Sequence, residues 1–346
     1  MVLITITSVI VGLALVLLET ALRSADRPTS SPTPLGRSQT SEPNESSHER
    51  DFAALNSYAA SHAKSSREWR DVRLSFRSPT INMIDGWRCT TDQPSSAHRA
   101  LYLYGGSTVL CIEVPDKETL ASHLQRHIAT IDPTIAVQNR GISGATVAGS
   151  VRSMDVGELG PLDLVVAYFG VNDAKLNTYI QRGRGPFRFV PFWVAVLGLL
   201  RIRLRLRIAE WLWLETVILD IQRQTRLSQE RAVLVRSTLE AMQHEVARHG
   251  ARFLAVLQPH IWLKPASAVE HSLRARMAST TPTLLTHQYN AYRREMDGLP
   301  WFIDLSLSMV DTADTLFCDW AHTNADGNAW LAARLLTNLS VILESD

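Results

Sequence analysis

Short apolar runs alternate with helix-like stretches along most of the chain beyond residue 100. The runs at 101–104, 135–138 and 164–169 are almost entirely apolar, and two more follow at 253–257 and 302–305. Short runs without polar alternation are typical of strands that are buried on both faces of a parallel sheet. With helices between them, they predict one doubly wound α/β domain.

The stretches between the apolar runs have helical periodicity. Apolar residues recur at spacings of four, three and four from Val235 to Val246, which places them on one face of a helix that ends at Gly250. Residues 118–128 and 326–343 are also helix-like. These helices are the expected crossover connections of a parallel sheet.

The N-terminal part of the chain has a different composition. Residues 2–18 contain no charged side chain and are mostly Val, Ile and Leu, at the short end of a membrane span. Residues 1–24 are therefore predicted to be a single-pass membrane anchor, with a cleaved signal segment as the alternative. Residues 25–50 are rich in Ser, Pro and Thr and predict a flexible linker. The domain proper is predicted at 51–346, beginning with a helix-like stretch at 52–69.

A second membrane-like pattern lies inside the domain, in an insertion at about 186–219. Its first part is apolar, and then Arg201, Arg203, Arg205 and Arg207 alternate with Ile and Leu before a pair of tryptophans. Strict alternation favours a strand, whereas a helix would distribute these arginines around its circumference. Contact of 186–213 with membrane lipid, a lid over the site and plain packing on the core all remain open.

Composition narrows the function classes. The chain of 346 residues has a formal net charge of +1, which gives no reason to expect a nucleic-acid partner. Its three cysteines, Cys89, Cys111 and Cys318, lack the spacing of a zinc site and are too few for a disulfide framework. Whether Cys111 pairs with Cys318 is left open, and so is the oligomeric state.

Chemically useful residues follow the predicted strands. Gly105 and Gly106 separate the first strand from Ser107 and predict a tight corner there. One reason for glycine in such a corner is that it tolerates positive φ. Such a corner exposes Ser107. Later strands are followed by the stretches SGAT, GVND and DWAH. Because the carboxyl ends of parallel strands share one edge of a sheet, these stretches are expected to meet there.

Together these stretches supply the groups that acyl transfer requires. Ser107 is a candidate nucleophile, His322 a candidate general base, and Asp319 lies close enough in sequence to orient the imidazole. The backbone N–H groups of Ser107 and Gly144 and the side-chain amide of Asn172 are candidate donors to an oxyanion. Such a site needs neither a metal nor an organic cofactor.

The stretches GGST, SGAT, GVND and DWAH resemble, in this order, the four sequence blocks of the SGNH (GDSL-like) hydrolases, over roughly residues 95 to 340. The resemblance implies a three-layer α/β/α fold with a mostly parallel, flavodoxin-like sheet of roughly five strands. It assigns the family's Ser, Gly, Asn and His to Ser107, Gly144, Asn172 and His322, and its aspartate to Asp319. Gly106 departs from the Asp of many members, and Cys111 stands where a glycine or small residue is expected.

The sequences VPDKETLASHLQ and HTNADGNAWLAARL are similar to membrane-anchored bacterial members of this family. This implies a serine esterase, held in the inner membrane with its domain on the periplasmic side, that removes O-acyl groups, chiefly O-acetyl, from a cell-envelope or exported polysaccharide. Arg23, Arg27 and Arg37 instead favour a cytoplasmic domain, so the side of the membrane stays open. A lipid esterase or thioesterase, an acyltransferase on glycans and a non-catalytic protein are the alternatives.

Overall fold

A computed structural model describes residues 46–62, 73–174, 203–277 and 281–343. Five strands form the main sheet: β4 (Arg99–Gly105), β5 (Ile135–Gly141), β6 (Leu164–Phe169), β7 (Arg252–Leu257) and β8 (Phe302–Asp304). Their order across the sheet is β5-β4-β6-β7-β8, and every neighbouring pair is parallel. The predicted five strands and their flavodoxin-like arrangement are confirmed.

Helices connect and flank the strands. The described helices are α1 (Ser47–His62), α2 (Ser107–Leu110), α3 (Leu120–Ile128), α4 (Val147–Ser153), α5 (Arg203–Arg248), α6 (Ala268–Ala275), α7 (Thr281–Met296) and α8 (Ala325–Leu343). Short 3-10 turns occur at Asp116–Glu118, Val156–Glu158 and Ile261–Leu263.

Each face of the sheet has its own hydrophobic core, because successive side chains of a strand point to opposite faces. Leu101 and Leu103 of β4 pack with α3 and α8 on one face. Tyr102 and Tyr104 pack with α5 and α7 on the other face. The predicted three-layer α/β/α architecture is therefore present.

Helix α5 confirms one prediction and corrects another. Its buried face carries the residues from Val235 to Val246, and it ends at Arg248, before Gly250 with φ of 75°. The strand reading of the alternating arginines is wrong, because the backbone is helical from Arg203 onward. Arg and Leu both have high helix propensity, so their alternation does not oppose a helix. Residues 186–202 of the predicted insertion lie outside the described residues.

The first described helix begins inside the segment that is predicted to be a linker. Helix α1 starts at Ser47, so residues 47–50 belong to it and not to a linker. A reciprocal cap explains this start: the Ser46 N–H donates to Glu49 Oε2 at 2.8 Å, and the Glu49 N–H donates to Ser46 Oγ at 3.2 Å. The helix ends at His62, and residues 63–69 of the predicted helix lie outside the described residues, as do the predicted anchor and residues 25–45.

Within the described ranges, no helix combines the length and apolarity that a bilayer crossing requires.

A small antiparallel sheet packs beside the nucleophile region. Its strands are β1 (Phe76–Arg77), β2 (Asn82–Ile84) and β3 (Trp87–Arg88). Ile81 and Met83 share a core with Leu110 of α2. This part of the chain therefore supports the turn in which Ser107 lies.

Candidate active site

Ser107 is the first residue of α2, and only Gly106 separates it from Gly105, the last residue of β4. Neither Gly105 nor Gly106 has a positive φ, so the conformational reason for glycine in this corner is wrong. The reason is close packing. A Cβ on Gly105 would lie 2.7 Å from Tyr168 O, and a Cβ on Gly106 would overlap Asn172 Nδ2. This overlap also explains why Gly106 does not carry a larger side chain.

We expect Gly106→Ala to impair activity by displacing the Asn172 amide, because overpacked sites respond by shifting their neighbours. The expected loss in kcat/KM for a simple ester is about tenfold or more, because displacing the amide costs part of the roughly 10²- to 10³-fold that complete removal of an oxyanion donor costs. Steady-state hydrolysis by the folded variant measures it. Gly157→Ala is the matched control, since Gly157 is exposed and has no positive φ. Equal activity of both variants would show that Asn172 does not depend on Gly106.

The structure brings Ser107, His322 and Asp319 into one hydrogen-bonded chain. Ser107 Oγ lies 2.7 Å from His322 Nε2, although the two residues are 215 positions apart. On the other side of the ring, His322 Nδ1 lies 2.7 Å from Asp319 Oδ2. A proton on Nδ1 leaves Nε2 free to accept from the serine hydroxyl.

The loop that carries Asp319 and His322 is closed by its own backbone. Phe317 and Thr323 form an antiparallel bridge, and the Cys318 N–H donates to His322 O at 2.8 Å. Asp319 Oδ1 accepts from the backbone N–H of Ala321 at 2.7 Å and of His322 at 2.8 Å. Burial raises the pKa of Asp319, but the hydrogen bonds and charge of His322 and these amides outweigh it, so the pKa lies below its ordinary value.

The turn that contains Gly144 contacts Asn172 next to Gly106. Gly144 has φ of 71°, which is a left-handed conformation that glycine adopts readily, in the turn before α4. Asn172 Nδ2 donates to Ala145 O at 2.9 Å and also lies against Gly106. The amide of Asn172 therefore joins the second and third sequence blocks beside Gly106, the residue before Ser107.

Asp173 binds the start of α4, which follows the turn that contains Gly144. It is buried and accepts from the backbone N–H of Val147, the first residue of α4, at 3.0 Å. Burial raises the pKa of Asp173 to about 6, although backbone donors and Arg231 act in the opposite direction. Its contact with Val147 identifies it as a residue that positions the start of α4.

Cys111 occupies a left-handed position at the end of α2, with φ of 51°. This conformation explains why a glycine is the expected residue there. The buried Cys111 thiol donates to Thr108 O at 3.0 Å. All three cysteines lie within the described ranges and carry free thiols, so the structure does not join Cys111 to Cys318.

Glu113 also lies at the site, although it was not among the residues predicted from the sequence. Its Oε1 lies 3.6 Å from His322 Nε2, on the same side of the ring as Ser107 Oγ. Burial raises the pKa of Glu113, although the charge of His322 opposes this shift. No sequence motif includes Glu113. Its position in the loop shortly after Ser107 is the one sequence feature that indicates it could lie near the site.

Across the described ranges, no group of three or more His, Cys, Asp or Glu side chains is arranged to hold a metal ion. The predicted independence from metals and organic cofactors stays a prediction.

No protein-family model and no curated protein matches the chain. Among solved structures, it is similar to a lipolytic protein of the G-D-S-L family from Veillonella parvula, with 13% identity, a TM-score of 0.36 and coverage of 69% of this chain and 97% of that one. It is also similar to a carbohydrate acetylesterase from Sinorhizobium meliloti, with 13% identity, a TM-score of 0.41 and coverage of 70% and 99%.

A third similar structure is a catalytic mutant of an acetylxylan esterase from Geobacillus stearothermophilus, with 15% identity, a TM-score of 0.40 and coverage of 70% and 95%. Because the identities and TM-scores are low, the residues of the site and not these likenesses support the functional conclusion.

Proposed function

We propose that this protein is a serine ester hydrolase of the SGNH (GDSL-like) type. The observation that supports the proposal is the hydrogen-bonded chain from Ser107 Oγ through His322 to Asp319. A serine hydroxyl is inert near neutral pH unless a base accepts its proton, and this arrangement supplies both the base and the group that orients it.

In the first half of the reaction, Ser107 Oγ forms a bond to the ester carbonyl carbon while its proton moves to His322 Nε2. The carbonyl π electrons move to oxygen, and the backbone N–H groups of Ser107 and Gly144 and the amide of Asn172 bind that oxyanion. The oxyanion then collapses, the ester C–O bond breaks, and His322 Nε2–H protonates the leaving alcohol.

In the second half, water replaces the alcohol. Its proton passes to His322 Nε2 as its oxygen attacks the acyl-serine carbonyl, and collapse of the oxyanion returns the proton to Ser107 Oγ and releases the acid. Asp319 stabilises the imidazolium in both halves through its short contact with Nδ1.

The proposed substrates are O-acyl, chiefly O-acetyl, esters on a cell-envelope or exported polysaccharide. Resemblance of the sequence blocks to membrane-anchored bacterial members supports this choice. We also propose that residues 2–18 anchor the chain in the inner membrane with the domain in the periplasm. The uncharged apolar composition of this segment supports the anchor.

The test is hydrolysis of p-nitrophenyl acetate, p-nitrophenyl octanoate and acetylated xylan by the purified full-length protein. Turnover that favours the acetyl substrates would support glycan deacetylation, whereas a strong preference for octanoate would redirect the proposal to lipids. Transfer of acetyl to an added sugar in place of hydrolysis would indicate an acyltransferase. Absence of turnover in a folded protein would contradict the proposal.

The role of Asn172 has its own prediction. Asn172→Ala removes one oxyanion donor and is expected to lower kcat by roughly 10²- to 10³-fold, with a smaller effect on KM. Steady-state kinetics with p-nitrophenyl acetate measures this. Asn338→Ala, which removes an exposed amide on α8, is the control. Unchanged turnover in Asn172→Ala would remove this residue from the mechanism.

A further inference from the structure

The loop that follows the nucleophile helix places a carboxylate beside the catalytic imidazole. Glu113 Oε1 lies 3.6 Å from His322 Nε2, and the side chain of Glu113 is 15% exposed. The mechanism above does not use this group. Asp319 contacts Nδ1 of His322, whereas Glu113 approaches Nε2, the nitrogen that exchanges protons with the reacting oxygens.

The position of Glu113 is fixed by residues distant in sequence. The buried Arg88 donates from one guanidinium nitrogen to Cys111 O at 3.1 Å and from another to Val114 O at 2.8 Å. Its Nε pairs with Asp116 at 2.5 Å. The carbonyls on both sides of Glu113 are therefore bound by a single rigid fork.

Helix α1 contributes a further contact to the same loop. The His48 ring, through Nε2, lies 3.2 Å from Ile112 O, and through Nδ1 it lies 3.1 Å from Thr80 Oγ1. The residue before Glu113 is thus held by a helix that precedes the main sheet. A loop bound in this way presents its carboxylate in a defined position and not as a mobile surface group.

The substituents of the leaving group determine which chemical groups lie next to Glu113. In acylation, the leaving oxygen must come within hydrogen-bond distance of His322 Nε2 to receive its proton. Substituents next to that oxygen then lie close to Glu113 Oε1. An ionised carboxylate accepts hydrogen bonds and donates none, so it attracts a neighbouring hydroxyl and repels a neighbouring anion. Because Glu113 is largely buried, water screens this interaction weakly.

We propose that Glu113 selects the leaving group: it accepts a hydrogen bond from a hydroxyl adjacent to the ester oxygen and disfavours leaving groups with an anion at that place. Sugars carry such vicinal hydroxyls, whereas phosphate-bearing alcohols carry the anion. The inference rests on the proposed ester hydrolysis and names the substrate class as esters of uncharged polyols. The charged groups that face Glu113 are His322, Asp319 and Arg88.

Three aryl acetates that differ only in the substituent next to the ester oxygen test this proposal at pH 8. They are 2-hydroxyphenyl acetate, with a neighbouring donor, 2-methoxyphenyl acetate, without a donor, and acetylsalicylate, with a neighbouring carboxylate. In the wild-type protein, kcat/KM is expected to be about tenfold higher for the hydroxyl ester than for the methoxy ester, the scale of one hydrogen bond to a charged group. It is expected to be at least about tenfold lower for acetylsalicylate.

Glu113→Gln keeps the shape of the side chain and removes its charge. It is expected to reduce the preference for the hydroxyl ester severalfold and to raise the relative rate on acetylsalicylate about tenfold. The acid limb of its pH–rate profile should also move to lower pH, because the imidazolium loses an anionic neighbour. Glu118→Gln removes a more exposed carboxylate from the same region and should leave both ratios unchanged.

A uniform fall on all three esters, with the ratios unchanged, would show that Glu113 supports only the fold or the base, and it would overturn the proposal. If Glu113→Gln does not fold, the same kcat/KM ratios are measured for Glu113→Asp and compared with those of the wild-type protein. A wild-type protein that neither prefers the hydroxyl ester nor disfavours acetylsalicylate also contradicts the proposal. Failure of the proposed ester hydrolysis would be distinguishable from failure of this inference. Ester hydrolysis requires Ser107-dependent turnover of the methoxy ester, and that ester has no hydroxyl to donate a hydrogen bond to Glu113.

Discussion

Ser107→Ala is expected to lose ester hydrolysis almost completely, with a fall in kcat of roughly 10⁴- to 10⁶-fold. In the proposed acylation, Ser107 Oγ, which lies 2.7 Å from His322 Nε2, is the nucleophile, and alanine lacks this oxygen. Steady-state hydrolysis of p-nitrophenyl acetate measures the loss, and labelling by a fluorophosphonate probe should disappear with it.

Ser237→Ala is the control for this experiment, because Ser237 is exposed on α5 and donates only to its own helix. It should keep both turnover and labelling. The remaining rate of Ser107→Ala reports binding and oxyanion stabilisation alone. If Ser107→Ala retained serine-hydrolase labelling, another residue would be the nucleophile, and the assignment of the site would be wrong.

Asp319→Asn is expected to lower kcat by about 10⁴-fold. An asparagine can turn its amide N–H toward His322 Nδ1, which favours the tautomer with a proton on Nε2. That tautomer cannot accept the proton of Ser107. The measurement is kcat/KM on a simple ester, and Asp326→Asn, an exposed carboxylate at the start of α8, is the matched control.

The same variant has a predicted pH signature in stability. The pKa of Asp319 is lowered in the folded state, so its ionised form contributes stability above its unfolded pKa, which is about 3.9. This contribution is lost as the pH falls through the lower folded pKa. The difference in Tm between wild type and Asp319→Asn should thus be largest near neutral pH and shrink below about pH 4. A difference independent of pH would show that the charge of Asp319 does not stabilise the fold.

The order and type of the main elements were predictable because their signals are local. A short apolar run marks each buried strand, and the spacing of the apolar residues from Val235 to Val246 marks the buried face of α5. Element ends were less predictable. The start of α1 depends on the reciprocal cap between Ser46 and Glu49, a side-chain contact that composition does not show.

The alternating arginines show the limit of pattern reasoning. A period of two favours a strand only if one face is buried and the other is solvated. From Arg203 the backbone is helical as part of a long helix, and helix formation is cooperative along the segment. A neighbouring strong helix can therefore override a local alternation.

The α/β class was predictable from the order of strands and helices alone. So were the candidate residues Ser107, Gly144, Asn172, Asp319 and His322, because parallel strands bring their carboxyl ends to one edge. The distances among them, the steric need for glycine at 106 and the presence of Glu113 beside His322 became evident only in the folded chain. These depend on packing between distant segments. The fork of Arg88 around the Glu113 loop is one example, and no local pattern encodes it.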